Sequence, residues 1–376
     1  MTLNTLFVSN SLKFLYRSRK NFLMQAAKQS SRLSICAPLD DTTAAKELET
    51  EGIKLLPISM SRVGMNPLTD FLYFLSLRSI IKQENPSTIL NFTIKPIIYS
   101  SLAARSLKQK NIVIYSMFTG LGFVFSACSL KARFGKIVVK KLLQTALLSN
   151  KHIFFLNSDD LLQIKKEGLI PSHVESSLIP GCGVSLQHFR YAPPVEEPIT
   201  FLFVGRILTD KGVGEFIEAA KHLKRKYPKR TLHFQLLGPL DTNPTAVPKA
   251  QLLQWCREGG AEYLGATEDV RPYLQSSSVF VLPSYREGMP RATMEAMALG
   301  RPIVTTLAPG CHETVKEGKN GYLVPTKDSQ ALASAMEKFI LDKAKIVNMG
   351  LVSRDMAEEI FDEEKINSQI IKHLGL

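Results

Sequence analysis

The sequence predicts an α/β protein of two doubly wound, parallel-sheet (Rossmann-like) domains in tandem, and three observations predict it. Short apolar runs alternate with helix-length segments along the whole chain, which is the pattern of repeated βαβ units. The series runs twice, and the break between the two runs, residues 191–198 (Tyr-Ala-Pro-Pro-Val-Glu-Glu-Pro), holds three prolines in eight positions before a fresh apolar strand begins. The 376 residues, 45% of them hydrophobic, are enough for two buried cores.

Strands are expected at 5–8, 34–37, 53–58, 88–92, 112–117, 152–156 and 175–179, and then at 199–204, 232–237, 262–264, 279–282, 302–306 and 321–324. These are near-continuous apolar runs rather than polar–apolar alternations, as befits strands covered on both faces. Helices fall between them. The clearest are 213–226 and 290–299, the latter opened by Pro290, whose fixed φ suits a first turn. From about residue 328 the pattern is helical. The domains are therefore set at 1–190 and 199–376 with 191–198 as linker, and the last helix is expected to pack back on the first domain.

No signal peptide is expected, since no basic region precedes an apolar core at the N-terminus. Residues 111–130 carry no charge and raise the question of a membrane span. Gly120, Gly122, Ser116, Thr119, Ser126 and Ser129 interrupt them, so a buried strand and a glycine loop are the better reading. The five cysteines are scattered without CxxC spacing, which suggests neither a zinc site nor a disulfide framework and suits a reducing cytoplasm.

Charge is unevenly spread. Residues 1–190 hold 24 Lys+Arg against 11 Asp+Glu, which accounts for the whole net charge of +13; the rest of the chain is neutral. The basic half should meet an anionic partner: nucleic acid, an anionic membrane surface or a phosphate-bearing substrate. Nucleic acid is disfavoured, because the basic residues are spread over the domain and form no reading motif.

Two segments carry chemistry. In Phe203-Val-Gly-Arg-Ile-Leu-Thr-Asp-Lys-Gly-Val-Gly-Glu a strand ends at Gly205 and a helix starts near Gly212, with Arg206 and Lys211 flanking the turn. Ligands of open α/β sheets sit beyond the strands' carboxyl ends, and two cations at a helix N-terminus suit a departing diphosphate. The plainer reading is a solvated basic loop. In Ser284-Tyr-Arg-Glu-Gly-Met-Pro-Arg-Ala-Thr-Met-Glu-Ala, Glu287 falls in a strand-to-helix loop and Glu295 inside the helix. Two carboxylates can accept from sugar and ribose hydroxyls. Alternatively, Glu287 only complements the helix dipole and Glu295 is a surface residue.

Arg206, Lys211 and the spacing Glu287-x7-Glu295 together resemble the signature of retaining glycosyltransferase family four, of GT-B fold. The run 286–298 looks like that of bacterial surface-polysaccharide members that extend sugars on undecaprenyl diphosphate, among them N-acetylgalactosaminyltransferases. Gly181-Cys-Gly-Val-Ser-Leu-Gln-His-Phe is similar to a family segment, with Ser185 where Asp is usual. Thr93-Ile-Lys-Pro and Thr119-Gly-Leu-Gly resemble acceptor-domain segments. The resemblance covers nearly the whole chain.

It implies two domains facing each other across a cleft, and a retaining, metal-independent hexosyltransferase with no cofactor, taking a nucleotide-sugar, UDP-linked by resemblance. Arg206, Lys211 and Glu287 would be catalytic. Gly205, Leu264, Gly288, Met289, Pro290 and Glu295 would bind the donor, Leu264 through its backbone to the base. Arg19, Lys95, Thr119 and Gly120 are acceptor-side candidates. The lipid-linked saccharide acceptor would be met at the inner face of the cytoplasmic membrane by a peripheral protein. Two features depart from the family. No His stands in Tyr115-Ser-Met-Phe-Thr-Gly, and Ser9-Asn-Ser-Leu-Lys-Phe replaces the usual glycine pair, leaving Ser11, Lys13, Arg17 and Arg19 to face phosphate. A sugar-nucleotide epimerase of the same fold is the alternative.

The helix expected at 130–143 combines an apolar stripe with Lys131, Arg133, Lys136, Lys140 and Lys141 and suits an anionic leaflet. Phe71, Leu72, Phe74, Leu75 and Leu77 mark another apolar helix. Either helix could instead do no more than cover the sheet.

Overall fold

The computed structural model describes residues 3–60, 66–109, 111–121 and 130–376, without the side chains of 130–134. Expectations placed on Gly122, Ser126, Ser129 and the side chains of Lys131 and Arg133 lie outside these residues. The chain divides into two units, Met1–Cys182 with Lys365–Leu376, and Gly183–Glu364.

The first unit is built on seven parallel strands, β1 (Asn4–Val8), β2 (Arg32–Ala37), β3 (Lys54–Pro57), β4 (Thr88–Phe92), β5 (Val113–Phe118), β6 (Asn150–Phe155) and β7 (Glu175–Leu178), in the order β3-β2-β1-β4-β5-β6-β7. The intervening helices are α1 (Leu12–Gln29), α2 (Thr42–Thr50), α3 (Pro67–Glu84), α4 (Ile94–Ser106), α5 (Leu130–Leu147) and α6 (Ser158–Lys166). One sheet face packs under α3, α4 and α5. There Leu6, Ile89 and Ile114 meet Tyr73, Leu77 and Ile81, while Phe118 and Phe155 meet Ile97, Val139 and Leu143. On the other face Phe7 stacks on Phe22 of α1 at 5.5 Å. Residues 113–118 form a buried strand, and no helix among the described residues is long and apolar enough to cross a membrane.

The second unit carries β8 (Ile199–Val204), β9 (Leu232–Leu237), β10 (Glu262–Tyr263), β11 (Val279–Leu282), β12 (Ile303–Thr306) and β13 (Gly321–Val324), parallel in the order β10-β9-β8-β11-β12-β13. Its helices are α7 (Val213–Lys226), α8 (Lys249–Gly259), α9 (Arg271–Gln275), α10 (Arg291–Ala298), α11 (Ser329–Leu341) and α12 (Ala344–Ile360). A last helix, α13 (Glu363–Leu374), starts in this unit, but from Lys365 its residues belong with the first, where the His373 ring lies 4.8 Å from that of His152.

The chain changes unit at Gly183, ahead of the proline-rich segment. Residues from 183 onward are fastened to the second unit: the Val184 N–H donates to Phe361 O at 2.8 Å and that of Ala192 to Leu299 O at 3.3 Å. Arg301, fully buried, donates to the carbonyls of Ala192, Leu299 and Ser277. Burial lowers its guanidinium pKa to about 10. Residues 191–198, expected as the interdomain linker, are thus held at Ala192 by a side chain that follows it by more than a hundred positions.

In both sheets the order reverses beside the first strand, between β1 and β4 and between β8 and β11. A strand order that reverses leaves a crevice at the carboxyl ends. In the second unit that crevice is closed down by Gly212. After β8 the chain passes through a short 3₁₀ turn, Thr209–Lys211, to Gly212 at φ +75°, and α7 follows. A Cβ on Gly212 would lie 2.2 Å from the Pro283 carbonyl oxygen, just past β11. Only glycine allows both this backbone conformation and this approach. Gly318 has φ +69° with nothing near its missing side chain. Gly318→Ala is therefore expected to cost about 1 kcal/mol, and Gly212→Ala at least ~2 kcal/mol more, because Pro283 must also move. Urea unfolding of the two variants measures the difference.

Candidate functional site

The loops after β8 and β11 are fastened together. The Tyr285 N–H donates to Asp210 O at 2.8 Å, and the Ser284 hydroxyl donates to the same carbonyl at 3.3 Å. The loop 307–311 after β12 braces them from the far side. Glu287 N–H donates to Pro309 O at 3.0 Å, and Gly310, at φ +75°, lies so close that a Cβ there would be 2.5 Å from Glu287 O. These contacts fix the Glu287 backbone before any ligand is considered.

Lys211 and Glu287 form an ion pair, Nζ to Oε1, with side chains only 17% and 13% exposed. Two of the four residues that define the motif thus meet across the switch point. Arg206 stands one residue past Gly205 on the same loop as Lys211. Its Nη1 reaches Asp241 Oδ2 at 2.9 Å, and Arg206 itself is half exposed. Asp241 had no place in the sequence reading. It is held by its own turn, Oδ1 accepting from the N–H groups of Thr242 at 2.7 Å and Asn243 at 2.9 Å. Partial burial works to raise its carboxyl pKa, but Arg206 and these N–H groups outweigh it and hold it below the ordinary value. The turn 239–248 is in turn bonded to the Arg206 loop, Ile207 N–H to Pro239 O at 3.0 Å and Thr209 N–H to Thr245 O at 2.8 Å.

Glu295 is buried in α10 and pairs with Arg291 one turn back, Oε1 to Nε 2.8 Å. Burial pushes its carboxyl pKa up, against the pull of Arg291. It is not a surface residue; one oxygen of its carboxylate is engaged within the first turns of α10. Gly288, Met289 and Pro290 form the loop that enters this helix. Pro290 takes the capping position at φ −75°, ψ 109° and the helix begins at Arg291, one residue later than expected. In the first turns, Thr293 N–H and Met294 N–H of α10 donate to Pro290 O at 3.1 and 3.3 Å and Phe216 N–H of α7 donates to Gly212 O at 3.0 Å, and both helix N-termini turn the positive ends of their dipoles toward this loop cluster. Behind them, the Tyr285 hydroxyl donates to Glu215 Oε1 at 2.5 Å. Leu264 lies just past β10, with its N–H taken by Leu236 O at 2.9 Å.

The acceptor-side candidates fare differently. Thr119 and Gly120 follow β5 at the sheet's carboxyl edge, partly exposed. Lys95 lies in the first turn of α4. Its Nζ pairs with Asp70 Oδ1 at 2.8 Å, while Tyr99 donates to Asp70 Oδ2 at 3.1 Å. Its charge is answered inside the protein. Arg19 is buried at a break in α1 (φ −143°, ψ 27°) and donates from Nη2 to Gly181 O at 3.2 Å. Burial lowers its pKa, and it braces α1 against the turn after β7. The N-terminus of α1 is already occupied by a carboxylate. Asp40 accepts from the Ser11 hydroxyl at 2.6 Å and the Lys13 N–H at 2.9 Å, in place of the phosphate expected there.

No group of three or more His, Cys, Asp or Glu side chains among the described residues is placed to hold a metal ion. The site offers two cations, two helix N-termini and a carboxylate: a cradle for a diphosphate with an acceptor for hydroxyls beside it.

The Lys211–Glu287 pair also has a cost when broken. Glu287→Gln leaves a largely shielded ammonium without its counter-charge and is expected to lose about 1–3 kcal/mol in urea unfolding at neutral pH. Pairing it with Lys211→Met should recover part of that loss, since no charge is then left unpaired.

The family model for glycosyl transferases group 1 matches residues 198–342, and that for glycosyl transferase 4-like proteins matches residues 6–155. The chain is 26% identical to the N,N'-diacetylbacillosaminyl-diphospho-undecaprenol alpha-1,3-N-acetylgalactosaminyltransferase of Campylobacter jejuni, over 97% of this chain and 96% of that one. It is 32% identical to the colanic acid biosynthesis glycosyltransferase WcaL of Escherichia coli, over 48% of this chain and 47% of that one. The crystal structure of HepE from Anabaena in complex with UDP superposes with a TM-score of 0.78 at 18% identity, covering 99% of both chains. With a cation-and-glutamate site at the switch point of its second sheet, the chain belongs to the group 1, family-four-like glycosyltransferases and has their GT-B fold.

Proposed function

We propose that this glycosyltransferase moves a hexose or N-acetylhexosamine from a UDP-sugar, in α-linkage and with retention, onto a lipid-diphosphate-linked saccharide in the assembly of a cell-surface glycan. The observation that carries the reading is the Lys211–Glu287 pair at the β8/β11 switch point, with Arg206 on the same loop. Lys211 and Arg206 take the donor diphosphate, and charge that builds on the leaving phosphate is met where it forms. Glu287, released from Lys211 as the diphosphate arrives, accepts from hydroxyls of the transferred sugar. Glu295 holds the ribose, and the carbonyl side of Leu264 faces the base.

The bond from the sugar's anomeric carbon to the diphosphate oxygen breaks, and the bond to the acceptor oxygen forms on the same face. The acceptor's proton passes to the departing phosphate. Neither a protein nucleophile, a resident cofactor nor a metal is needed, because the two cations do the neutralising.

UDP is favoured by the ligand of the Anabaena structure, and a lipid-linked acceptor by the activity named for the Campylobacter protein. The basic character of residues 1–190 suits such an acceptor in an anionic leaflet, with the protein peripheral to the inner face of the cytoplasmic membrane.

Radiolabelled UDP-sugars offered with and without an undecaprenyl-diphosphate-linked saccharide test the reading by mass spectrometry of products. Transfer only in the presence of acceptor is the expected result, whereas sugar conversion without acceptor would mean epimerisation. Lys211→Ala is expected to lower kcat about 10²–10³-fold with the fold retained. Asp241→Ala should raise the donor KM about tenfold by freeing a half-exposed arginine from its mount. In the Arg206→Ala background the same change should do nothing further, since the two residues act in series.

A further inference from the structure

The surface that meets the membrane was expected on residues 130–143, and the structure turns that helix the other way. In α5 the apolar stripe of Val139, Leu143, Ala146 and Leu147 is buried against the sheet. Lys136 and Lys140 lie 3.6 and 3.1 Å from Glu167.

Helix α3 does the opposite. Tyr73, Leu77 and Ile81 face the core, while Leu68, Phe71, Leu72 and Leu75 are 69%, 56%, 55% and 42% exposed. Their spacing of three, four and seven places all four on one stripe about two turns long. Lys82 continues the stripe, and Arg78 flanks it; both are exposed. The acids of α3 do not oppose it. Asp70 is turned inward to Lys95 and Tyr99, and Glu84 is paired with Arg32 and Lys54 at 3.0 and 2.6 Å. In α5, which belongs to the same helical layer, Ile137 and Val138 are 54% and 42% exposed beside the exposed Lys141.

We infer that this α3 face is where the protein docks on an anionic lipid bilayer. The inference rests on the proposed use of a lipid-linked acceptor and supplies its membrane contact. Apolar side chains with cations alongside are what the headgroup boundary takes up. The half of the chain that carries α3 also carries the whole net charge of +13. A second copy would bring the same charge to the face and be repelled; an anionic surface is complementary.

The test uses the full chain. Wild type should co-sediment with phosphatidylethanolamine–phosphatidylglycerol vesicles and only weakly with phosphatidylcholine vesicles. Leu72→Glu with Leu75→Glu should lower binding to the anionic vesicles at least about tenfold, and Arg78→Glu with Lys82→Glu should lower it in a salt-dependent way. All four positions are exposed, so the thermal midpoint should stay within a few degrees. Transfer to a short-chain, water-soluble diphosphate-linked acceptor should be unchanged in both variants.

Undiminished vesicle binding by the two variants overturns the docking face. So does failure of wild type to bind anionic vesicles, or conversion of a dimer to monomer by Leu72→Glu/Leu75→Glu with vesicle binding intact. Absence of transfer by wild type in every arm overturns the proposed reaction instead and leaves the vesicle result to decide the docking on its own.

Discussion

The ion pair of Lys211 and Glu287 is the contact on which the second unit's site depends. The two residues come from loops after different strands, and neither loop could carry its charge alone at such low exposure. Each charge makes burial of the other tolerable. The backbone contacts around them have the same result: Gly212 against Pro283, Tyr285 to Asp210 and Gly310 against Glu287 press three strand-end loops into one wall. The wall is therefore formed before a ligand arrives, which limits the ordering that binding must still supply.

Arg206 and Asp241 repeat the arrangement with a different balance. Arg206 is half exposed, so solvent screens its attraction to Asp241 and the pair contributes little to stability. Its worth is in placement. Only Nη1 is engaged, and a guanidinium has further N–H groups to turn toward a phosphate. Lys211, by contrast, is a single ammonium, and in the proposed reaction it has to share or surrender Glu287 when a diphosphate enters. One cation is held ready without being released and the other is exchanged, and the difference follows from side-chain chemistry.

The sequence was most legible where structure is local. Strands buried on both faces read as apolar runs, and β8, β9, β11 and β13 fall where those runs lie. Arg206, Lys211 and Glu287 were legible because each stands within a few residues of a strand end. What depends on a distant partner was not. Asp241-Thr-Asn-Pro reads as a turn, and nothing in it says that the turn folds back over Arg206. The 191–198 segment reads as a linker because Arg301, which fastens it, lies far along the chain. Lys95 and Arg19 show the same gap from the other side. A basic residue in a sequence does not reveal whether its counter-charge is a ligand, Asp70 or the carbonyl of Gly181.

Helices α3 and α5 make the point for surfaces. By composition α5 is the better membrane helix, since it sets cations against an apolar stripe. That stripe is what the sheet needs, and once Val139 and Leu143 are buried only Ile137 and Val138 remain as exposed apolar residues among those described on the helix. Helix α3 is apolar around most of its girth, from Leu68 and Phe71 through Tyr73, Phe74 and Leu75 to Leu77 and Ile81. A sheet can cover only one side of such a helix. The remaining side is a stripe too long and too regular to be scattered surface residues, and it is this regularity that the inferred docking on a bilayer accounts for.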